Sequence, residues 1–485
     1  MSPARRSASG RADHRTAGRA PSRPNIATRK GSGGQDAAAA PISRPAALRA
    51  RPASARQSML RDSNLALVAQ QIFSSAEPVS RADVAAATGM TRSTASRLVD
   101  ELVASRLVDE LPPAAASGPG RPAVPLAPAR ATVAALGLEI NVSRIAVRVI
   151  DLTGLVLAER IEAQDLADSD PAAALARLSA LMIDTAHQAA LEAERITPAP
   201  QEPESPSAPQ EEAGATGSTA QGSPTLGGLR LAGAALALPG LVSAGTLLRA
   251  PNLGWSQIRP EDHLAPDLER LGVGLQVGNE ADFGALAAAR LRPGASGQSA
   301  DFIYLSGENG IGAGLVRDGV VLQGTAGFAG EVGHIQVDPT GPACSCGNQG
   351  CLERYAGRRV ILAAAGLEAS ASPADLVAAW QAGSPSARQA VDTAARALAV
   401  ALGAAINVVD IPDVVLGGHL APLTGLLRPS LEPELSRRVL ASPWSPTRVL
   451  PAPADEYPAA SGAACAVLER IIADPASWVD AQPGA

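Results

Sequence analysis

One short stretch of the chain contains three of its four cysteines. Cys344, Cys346 and Cys351 follow a C-x-C-x4-C spacing, and His334 precedes the first of them by ten residues. Three thiolates and one imidazole are the ligands of a closed tetrahedral zinc site, which leaves no position for a catalytic water. In a chain of this length, clustered cysteines favour metal binding over a disulfide framework. The spacing therefore predicts one structural zinc ion, and the alternative is a cluster of reduced surface thiols.

A second candidate site lies at the start of a predicted helix in the first quarter of the chain. Ser80 followed by Asp83 predicts the cap of a short helix over 81–87. Gly89 then allows a tight turn, because glycine tolerates the positive φ that helix ends often need. The next helix is predicted over 91–105. This order is typical of a helix-turn-helix, whose second helix enters the major groove of DNA.

The N-terminal end of that second helix carries side chains suited to DNA. Hydroxyl and guanidinium groups donate hydrogen bonds to base edges and phosphates. The predicted DNA-contacting residues of this helix are Thr91, Arg92, Ser93, Thr94, Ser96 and Arg97. A strand-like pair then flanks a Pro/Gly-rich tip that contains Arg121, which predicts the wing of a winged helix with an arginine for a narrow minor groove. The alternative is a three-helix module for packing or dimerisation.

Charge is distributed unevenly along the chain. The 485 residues have a formal net charge of −6, yet residues 1–58 contain twelve Arg or Lys and two Asp. The same residues lack periodic apolar positions, so we predict a disordered basic tail. A basic end indicates nucleic acid as a partner, and the alternative is a solvated tail without that role.

The length and the pattern downstream predict further structure. Short apolar runs alternate with Ala-rich helical stretches, which is typical of α/β layering. We predict a winged helix-turn-helix domain over 59–130, an α/β domain over 131–475 with a disordered insertion at about 197–228, and a C-terminal tail over 476–485. No apolar run reaches the roughly 18 residues of a membrane helix, so we expect a cytoplasmic protein without membrane insertion.

Several motifs of the α/β region closely resemble the ROK family of repressors and sugar kinases. They lie at Leu238–Gly240, Pro251–Trp255, Gly310–Gly314, Gly330–His334, Cys344–Glu353 and Leu416–Gly418. The resemblance extends over about 133–472 and is highly specific. It implies an α/β, actin-like (ribonuclease H-like) fold of two lobes with a sugar site in the cleft. In the repressor branch of the family, a winged helix precedes these lobes.

The resemblance also implies which residues contact the sugar. The corresponding positions are Asn279, Glu280, Glu331, His334 and Glu353. Carboxylates and an amide suit sugar hydroxyls, which both donate and accept hydrogen bonds. Because His334 is also a predicted zinc ligand, the metal would orient one wall of the sugar site. Taken alone, Glu353 would be interpreted as an ordinary surface acid.

Three positions depart from the pattern of the family's kinases. The first phosphate loop, of the Asp-x-Gly-x-Thr type in kinases, is Glu139–Ser143 here and lacks the glycine that lets backbone N–H groups approach phosphates. The second loop, Gly-Thr-Gly in kinases, is Glu308-Asn309-Gly310 and places a carboxylate near the phosphates. Glu280 replaces the catalytic Asp, and a shift of about 1 Å can cost about a hundredfold in rate. We therefore predict no catalytic residue and no enzyme activity.

Together these features predict a sugar-responsive transcriptional regulator, a repressor of genes for carbohydrate uptake or metabolism. Its expected partners are an operator in double-stranded DNA, a sugar or sugar phosphate effector, and further copies of the chain in a homodimer or homotetramer. Its expected cofactor is structural zinc. One alternative is an ATP-dependent sugar kinase of the glucokinase or N-acetylhexosamine kinase type. Another is a scaffold that binds a transporter protein.

Overall fold

The computed structural model describes residues 53–113, 123–197, 225–307 and 310–480. Several of the predictions above fall outside these residues. They concern the basic tail up to residue 52, the wing tip with Arg121, the insertion over 198–224, Glu308 and Asn309 of the second phosphate loop, and the last five residues.

A winged helix-turn-helix begins the described part of the chain. Its elements are α1 (Ala53–Ser74), β1 (Val79–Ser80), α2 (Arg81–Thr88), α3 (Arg92–Ala104), β2 (Val108–Glu110) and β3 (Pro125–Pro128). Ser80 and Asp83 form a capping box at α2, and Gly89 follows that helix with a φ of 69°. The Thr91 side chain caps α3 by accepting a hydrogen bond from the Thr94 N–H. Since β1, β3 and β2 form an antiparallel sheet, the predicted helices and wing strands are confirmed.

The first lobe is built around a six-stranded sheet. Its elements are β4 (Val133–Asn141), β5 (Arg144–Asp151), β6 (Val156–Ala163), α4 (Pro171–Ile196), β7 (Thr225–Leu226), β8 (Leu229–Leu238), β9 (Leu241–Ser243), β10 (Thr246–Ala250), β11 (Trp255–Ile258), α5 (Pro260–Leu271) and β12 (Leu275–Asn279). The strand order is β12-β8-β4-β5-β6, and β7 pairs with β8. β4, β5 and β6 are antiparallel neighbours, whereas β8 and β12 run parallel to β4. β4 is buried along its whole length, as a strand covered on both faces requires.

The second lobe repeats this strand order. Its elements are β15 (Phe302–Gly307), β16 (Ile311–Arg317), β17 (Val320–Val321), a 3-10 turn (Val332–His334), α7 (Glu353–Ala356), α8 (Arg358–Ala364), α9 (Pro373–Gln381), α10 (Pro385–Val409), β18 (Val414–Leu416), α11 (Thr424–Arg438) and β19 (Val449–Pro451). The order β17-β16-β15-β18-β19 combines three antiparallel strands with two parallel ones, as in the first lobe. Two lobes of one topology confirm the predicted α/β fold.

Two segments of the chain connect the lobes. After β12, α6 (Glu280–Ala288) leads through a hairpin of β13 (Arg290–Arg292) and β14 (Ala295–Ser296) into the second lobe. After β19 the chain returns to the first lobe as α12 (Pro458–Ala473), which packs on α6 and on β4, β5 and β8. The helix that starts at the cleft residue Glu280 therefore packs directly on the helix that closes the first lobe.

The winged helix and the first lobe share one hydrophobic core. Leu65, Val68 and Phe73 of α1 are buried in the same cluster as Val133 of β4 and Val467 of α12. Helix α1 also contacts α12, and all described residues from Ala53 onward belong to one compact unit. A rotation of the first lobe therefore carries the winged helix with it.

Two predicted boundaries near the termini are wrong. Helix α1 begins at Ala53, so the predicted tail over 1–58 extends six residues too far, because the Ala, Arg and Gln residues there favour a helix. The predicted C-terminal tail over 476–485 begins inside α13 (Pro475–Val479). Trp478 of that helix is 8% exposed, and the Arg230 guanidinium lies 4.0 Å from its ring. Burial of one aromatic side chain stabilises a turn that a local pattern does not reveal.

The predicted insertion over 197–228 also ends too late. Thr225 and Leu226 form β7, which pairs with Arg230 and Leu229 of β8. Gly227 and Gly228 form the turn between these strands, both with positive φ. The Gly pair is therefore a hairpin turn and not the end of a loop.

Helix α10 is long and apolar enough to cross a membrane by length and composition alone. Its most apolar stretch is 56% buried inside the protein. It packs against α7, α8, α9 and α11 of the second lobe. This burial is that of a core helix.

Candidate functional site

The five residues predicted to contact a sugar line one cleft. Asn279 and Glu280 lie at the end of β12 and the start of α6, Glu331 and His334 lie at the 3-10 turn, and Glu353 begins α7. The cleft has an empty volume of about 750 Å³, including space open to solvent, within the range of small-molecule sites. The fold thus joins residues that are up to 74 positions apart in the sequence.

Asn279 is held in place by two hydrogen bonds. Its Oδ1 accepts a hydrogen bond of 2.7 Å from the Ala281 N–H and so caps α6. Its Nδ2 donates to the Gly240 carbonyl oxygen at 2.8 Å. Because both ends of the amide are engaged, Asn279 has a fixed orientation at the edge of the cleft. The same cap places Glu280 in the first turn of α6.

His334, Cys344, Cys346 and Cys351 form a cluster that could hold a metal ion. One potential ligand atom from each residue lies within 4.8 Å of the others. The Cys346 and Cys351 Sγ atoms are 3.8 Å apart, as are the Cys344 Sγ and the His334 Nδ1. A tetrahedral zinc ion with Zn–S bonds of about 2.3 Å places two sulfur ligands about 3.8 Å apart. The four side chains therefore fit such an ion.

His334 lies between this cluster and the acidic wall of the cleft. Its Nδ1 faces Cys344, while its Nε2 lies 3.8 Å from Glu331 Oε2. With Nδ1 directed at the cluster, Nε2 remains for the cleft. The ring can thus contact a metal ion on one side and a ligand hydroxyl or Glu331 on the other. Its geometry matches the double role that the sequence predicts.

Glu353 is a buried carboxylate beside the same cluster. It is 8% exposed, and its Oε1 accepts a hydrogen bond of 2.9 Å from the Cys344 thiol. Burial, together with this hydrogen bond, raises the pKa of the Cys344 thiol. A metal ion would replace the thiol proton, because metal ligation requires the thiolate. Glu353 is therefore not the ordinary surface acid that its position in the sequence alone would indicate.

The cleft wall is acidic. Burial raises the pKa of Glu331, His334 opposes that rise, and Glu353 adds to it. Burial and the nearby Glu331 raise the pKa of Asp282 to about 7. No lysine or arginine is among the described residues that line the cleft. Acceptor-rich walls of this kind suit a ligand with several hydroxyl donors and repel an anion.

The first phosphate loop is closed by its own side chains. The Asn141 Oδ1 accepts hydrogen bonds from the N–H groups of Ser143 and Arg144, at 2.9 and 3.1 Å. The buried Glu139 carboxylate accepts from Asn141 at 2.6 Å and lies 2.9 Å from the Arg144 guanidinium. Backbone N–H groups cradle phosphate only when they are free to point at it. Here two of them are already bonded inside the hairpin between β4 and β5.

The predicted DNA-contacting residues lie together at the start of α3. Thr91, Arg92 and Ser93 are exposed, whereas Ala95 behind them is buried. Arg97 is exposed but forms an ion pair of 2.5 Å with Glu101. Arg121 lies outside the described residues, so the structure places the helix residues only.

Comparisons with known proteins identify both parts of the chain. The sequence model of the ROK family matches residues 226–470, about half of the chain. The chain belongs to the ROK family. The model of the IclR helix-turn-helix domain matches residues 71–112, which cover the end of α1, α2 and α3. The ROK region contains the acidic cleft wall and the Cys/His cluster.

Curated ROK relatives include both repressors and kinases. A xylose repressor of Caldicellulosiruptor bescii is 32% identical over 212 residues, which are 40% of this chain and 52% of the relative. An N-acetylmannosamine kinase of Citrobacter koseri is 35% identical over 196 residues, or 40% of this chain and 66% of the relative. The matches to the xylose repressors thus span only about half to three fifths of those relatives.

Solved ROK structures show the same fold. A ROK family transcriptional regulator described as a homolog of the E. coli MLC protein has a TM-score of 0.65 and 24% identity, and the match covers 87% of this chain and 99% of that one. A ROK family glucokinase from Streptomyces griseus, solved with glucose and AMPPNP, has a TM-score of 0.52 and 22% identity over 68% of this chain and 98% of that one. The former match covers a larger share of this chain than the latter.

Asn252 of the cleft and Asp282, which lies near Glu331, were not predicted. Asn252 lines the cleft, and a Cβ at Gly310 would lie 3.1 Å from its Nδ2 and 2.9 Å from Glu353 Oε2. Its motif, Pro251–Trp255, is visible in the sequence, but the direction of the side chain is not. Asp282 is 7% exposed, and one of its oxygens is buried without a hydrogen-bond partner among the described residues. Acids in the first turn of a helix are usually exposed to solvent, so nothing in the sequence indicated that Asp282 is buried.

Proposed function

We propose that this protein is a sugar-responsive transcriptional regulator that represses genes of carbohydrate uptake or metabolism. The observation that carries the proposal is the shared core of the winged helix and the sugar-type lobe. A DNA-binding element embedded in the lobe follows any ligand-driven movement of that lobe. Relatives named xylose repressor support the same function.

The proposed effector binds in the acidic cleft. Asn279, Glu280, Glu331, His334 and Glu353 are the proposed contacts for its hydroxyls, and they converge on one volume. A site with several carboxylates favours ligands with several O–H donors, because each carboxylate oxygen can accept a hydrogen bond. Binding between the two lobes would favour their closure, because the closed form allows contacts from both walls at once.

The proposed DNA contacts are the start of α3 and the wing. Thr91, Arg92, Ser93, Thr94, Ser96 and Arg97 are proposed for the major groove, and Arg121 for the minor groove. A helix-turn-helix protein usually contacts two half-sites one helical turn apart. We therefore expect a homodimer or homotetramer on a pseudo-palindromic operator, acting in the cytoplasm where the DNA is.

The proposed occupant of the Cys/His cluster is structural zinc. Three thiolates and one imidazole are a frequent ligand set for this ion, and the sulfur separations fit it. When bound, zinc supplies no chemistry to the cleft beyond fixing its ligands. His334 and the turn of Cys344 would then hold Glu331 and Glu353 at constant separation.

A sugar kinase is the second candidate, because relatives named N-acetylmannosamine kinase match the same region. The hairpin of Asn141 argues against it, since the amides that would hold phosphate are bonded to a side chain. Glu280 stands at the position of the catalytic base. We propose that the protein lacks competent kinase activity.

A coupled assay with glucose, N-acetylglucosamine or N-acetylmannosamine and ATP tests the absence of kinase activity. Turnover above background would contradict it.

Footprinting on the DNA upstream of the protein's own gene tests the main proposal. We expect protection of a pseudo-palindromic site whose affinity changes when the effector is added. Candidate effectors come from a thermal-shift screen of D-xylose, D-glucose, N-acetyl-D-mannosamine and their phosphates, because specific binding to the folded state raises its melting temperature. Protein that protects no site under any of these conditions would refute a regulator.

A further inference from the structure

The β13–β14 hairpin connects the cleft to the winged helix. It follows α6, whose first turn carries Glu280, and it leads into the second lobe. Helix α1 contacts β14 in the described structure. The chain passes between the two lobes at this hairpin and at the return segment before α12. An arginine side chain of the hairpin bonds to Ser75, the residue that follows α1.

Arg290 joins the hairpin to both lobes. Its Nη1 donates to the Gly319 carbonyl oxygen of the second lobe at 2.7 Å. Its Nη2 donates to Glu469 of α12 at 3.1 Å, and its Nε bonds to the same carboxylate. Because one guanidinium holds elements of both lobes, a change in their angle pulls on β13.

Arg292 joins the hairpin to the DNA-binding part. Its Nη2 donates a hydrogen bond of 2.6 Å to the Ser75 carbonyl oxygen, just after the last residue of α1. Carbonyls at a helix C-terminus lack intrahelical partners and carry partial negative charge, so a guanidinium bonds to them strongly.

No acidic partner competes for Arg292 within the described residues. Among the described residues Arg292 forms no ion pair with an Asp or Glu, and its Nη1 is buried without a hydrogen-bond partner. Burial lowers the pKa of Arg292. The Ser75 carbonyl is therefore the main polar contact of a poorly solvated cation, and a displacement that breaks this bond is costly.

The packing beside this bond is tight. A Cβ at Gly294 would lie 2.8 Å from the Phe73 Cβ and 3.1 Å from the Ile472 Cδ1. The hairpin tip thus presses on the last turn of α1 and on the end of α12. Close-packed contacts transmit a shift instead of absorbing it.

We propose that Arg292 and the β13–β14 hairpin transmit lobe closure to the winged helix through the Ser75 carbonyl. This inference rests on the proposed function. Sugar binding moves the lobes, Arg290 moves β13 with them, and Arg292 shifts the end of α1. The recognition helices of two copies then change their separation and lose their fit to the operator.

The test measures the coupling between sugar and DNA in the full-length protein. Arg292→Met keeps the apolar stem and removes the donors, Arg292→Lys keeps a charged donor, and Arg317→Met is the control at an exposed arginine of the second lobe. Operator affinity is measured by fluorescence anisotropy with and without D-xylose, D-glucose and N-acetyl-D-mannosamine. Sugar affinity is measured by calorimetry. The coupling factor is the ratio of the two operator dissociation constants.

We expect a wild-type factor of roughly 5 to 150, as is usual for allosteric coupling. Arg292→Met should reduce it to about 2 or less, while sugar affinity and sugar-free operator affinity stay within about threefold. Arg292→Lys should keep most of the coupling, and Arg317→Met all of it. An Arg292→Met variant with the wild-type factor would overturn the inference and leave the proposed function intact.

Hydrogen exchange of the unmodified protein gives a second measurement, should Arg292→Met fold poorly. Sugar should change the exchange of amides at residues 71–75 and 290–296 together. Unchanged exchange in both segments, with sugar bound and operator affinity altered, would overturn the inference. If no sugar alters operator affinity in wild type, the proposed function itself is contradicted and the inference with it.

Discussion

Single side chains decide what the cleft can bind. Glu331, Glu353 and Asp282 put three carboxyl groups near one site, and burial raises the pKa of Asp282 to about 7. His334 opposes the rise in the pKa of Glu331, and a metal ion in the cluster beside it would also favour the ionised carboxylate. The acidic wall and the Cys/His cluster are therefore electrostatically linked.

The link between cluster and cleft predicts the result of removing one thiolate. Cys346→Ser should lose the bound zinc and weaken sugar binding by at least about tenfold. The reason is that the metal ion fixes the orientation of its ligand His334, which also lines the sugar site. Metal content is measured by plasma emission and sugar affinity by calorimetry. Cys465→Ala, a buried cysteine outside the cluster, is the control. Cys346→Ser protein with no zinc and normal sugar affinity would refute the link.

Asp282 predicts a pH dependence of stability. Its folded pKa of about 7 exceeds the ordinary value, so the folded state keeps a proton that the unfolded state loses. Its contribution to stability is thus fully present below about pH 4 and is lost as pH rises to about 7, by up to about 1.4 kcal/mol per pH unit. Asp282→Asn removes this pH-dependent contribution to the free energy of unfolding. In urea unfolding from pH 4.5 to 8, the difference between variant and wild type should rise with pH, and a constant difference would contradict it.

The start of α3 predicts unequal roles for its two arginines. Arg92 is exposed at the first turn, whereas Glu101 binds both Arg97 and Arg61. Arg92→Ala should weaken operator binding by about 1–3 kcal/mol, and Arg97→Ala by less. Arg195→Ala on α4 is the control. Equal operator affinity of Arg92→Ala and wild type, measured by anisotropy, would remove Arg92 from the DNA contacts.

The contact between α6 and α12 predicts that alanine destabilises the protein at Gly462 of α12 but not at Gly425 of α11, which is the control. A Cβ at Gly462 of α12 would lie 1.8 Å from the Phe283 carbonyl oxygen, whereas nothing lies within 4 Å of a Cβ at Gly425 of α11. Gly462→Ala should therefore cost about 3 kcal/mol or more of unfolding free energy. Gly425→Ala should be neutral or stabilise by up to about 1 kcal/mol. Similar urea midpoints for both variants would show that α12 can move away from α6.

At the scale of the whole molecule, one core joins the two proposed functions. The winged helix contributes α1 to the cluster that holds β4 and α12 together. A hinge between domains would require a sensor signal to cross a flexible linker. Here the connection is packed, so no flexible linker separates the winged helix from the first lobe.

The charge distribution of the whole chain gives the last prediction. Residues 1–52, which precede α1, contain eleven Arg or Lys and two Asp. If these residues contact phosphates, operator affinity should depend more steeply on salt in full-length protein than in protein lacking residues 1–52. The slope of log affinity against log salt concentration should differ by up to about 0.9 for each phosphate contact. Equal slopes would leave the tail without a role on DNA.

Features that depend on near neighbours could be predicted from the order of the residues. The Ser80–Asp83 capping box, the positive φ at Gly89 and the start of α3 follow from interactions within four residues. The spacing of Cys344 to Cys351 works in the same way, because one short loop brings these thiols together. The glycine-rich motifs also made the ROK family recognisable, because each glycine marks a place where two backbone segments must approach closely.

Features that depend on distant residues could be found only in the folded chain. Asp282 is buried because α6 is packed between α12 and the strands β15 and β16, and Trp478 of the helix at 475–479 packs against Arg230. The bond from Arg292 to Ser75 joins positions more than 200 residues apart. Desolvation and packing are properties of the assembled chain, and no local pattern of residues carries them.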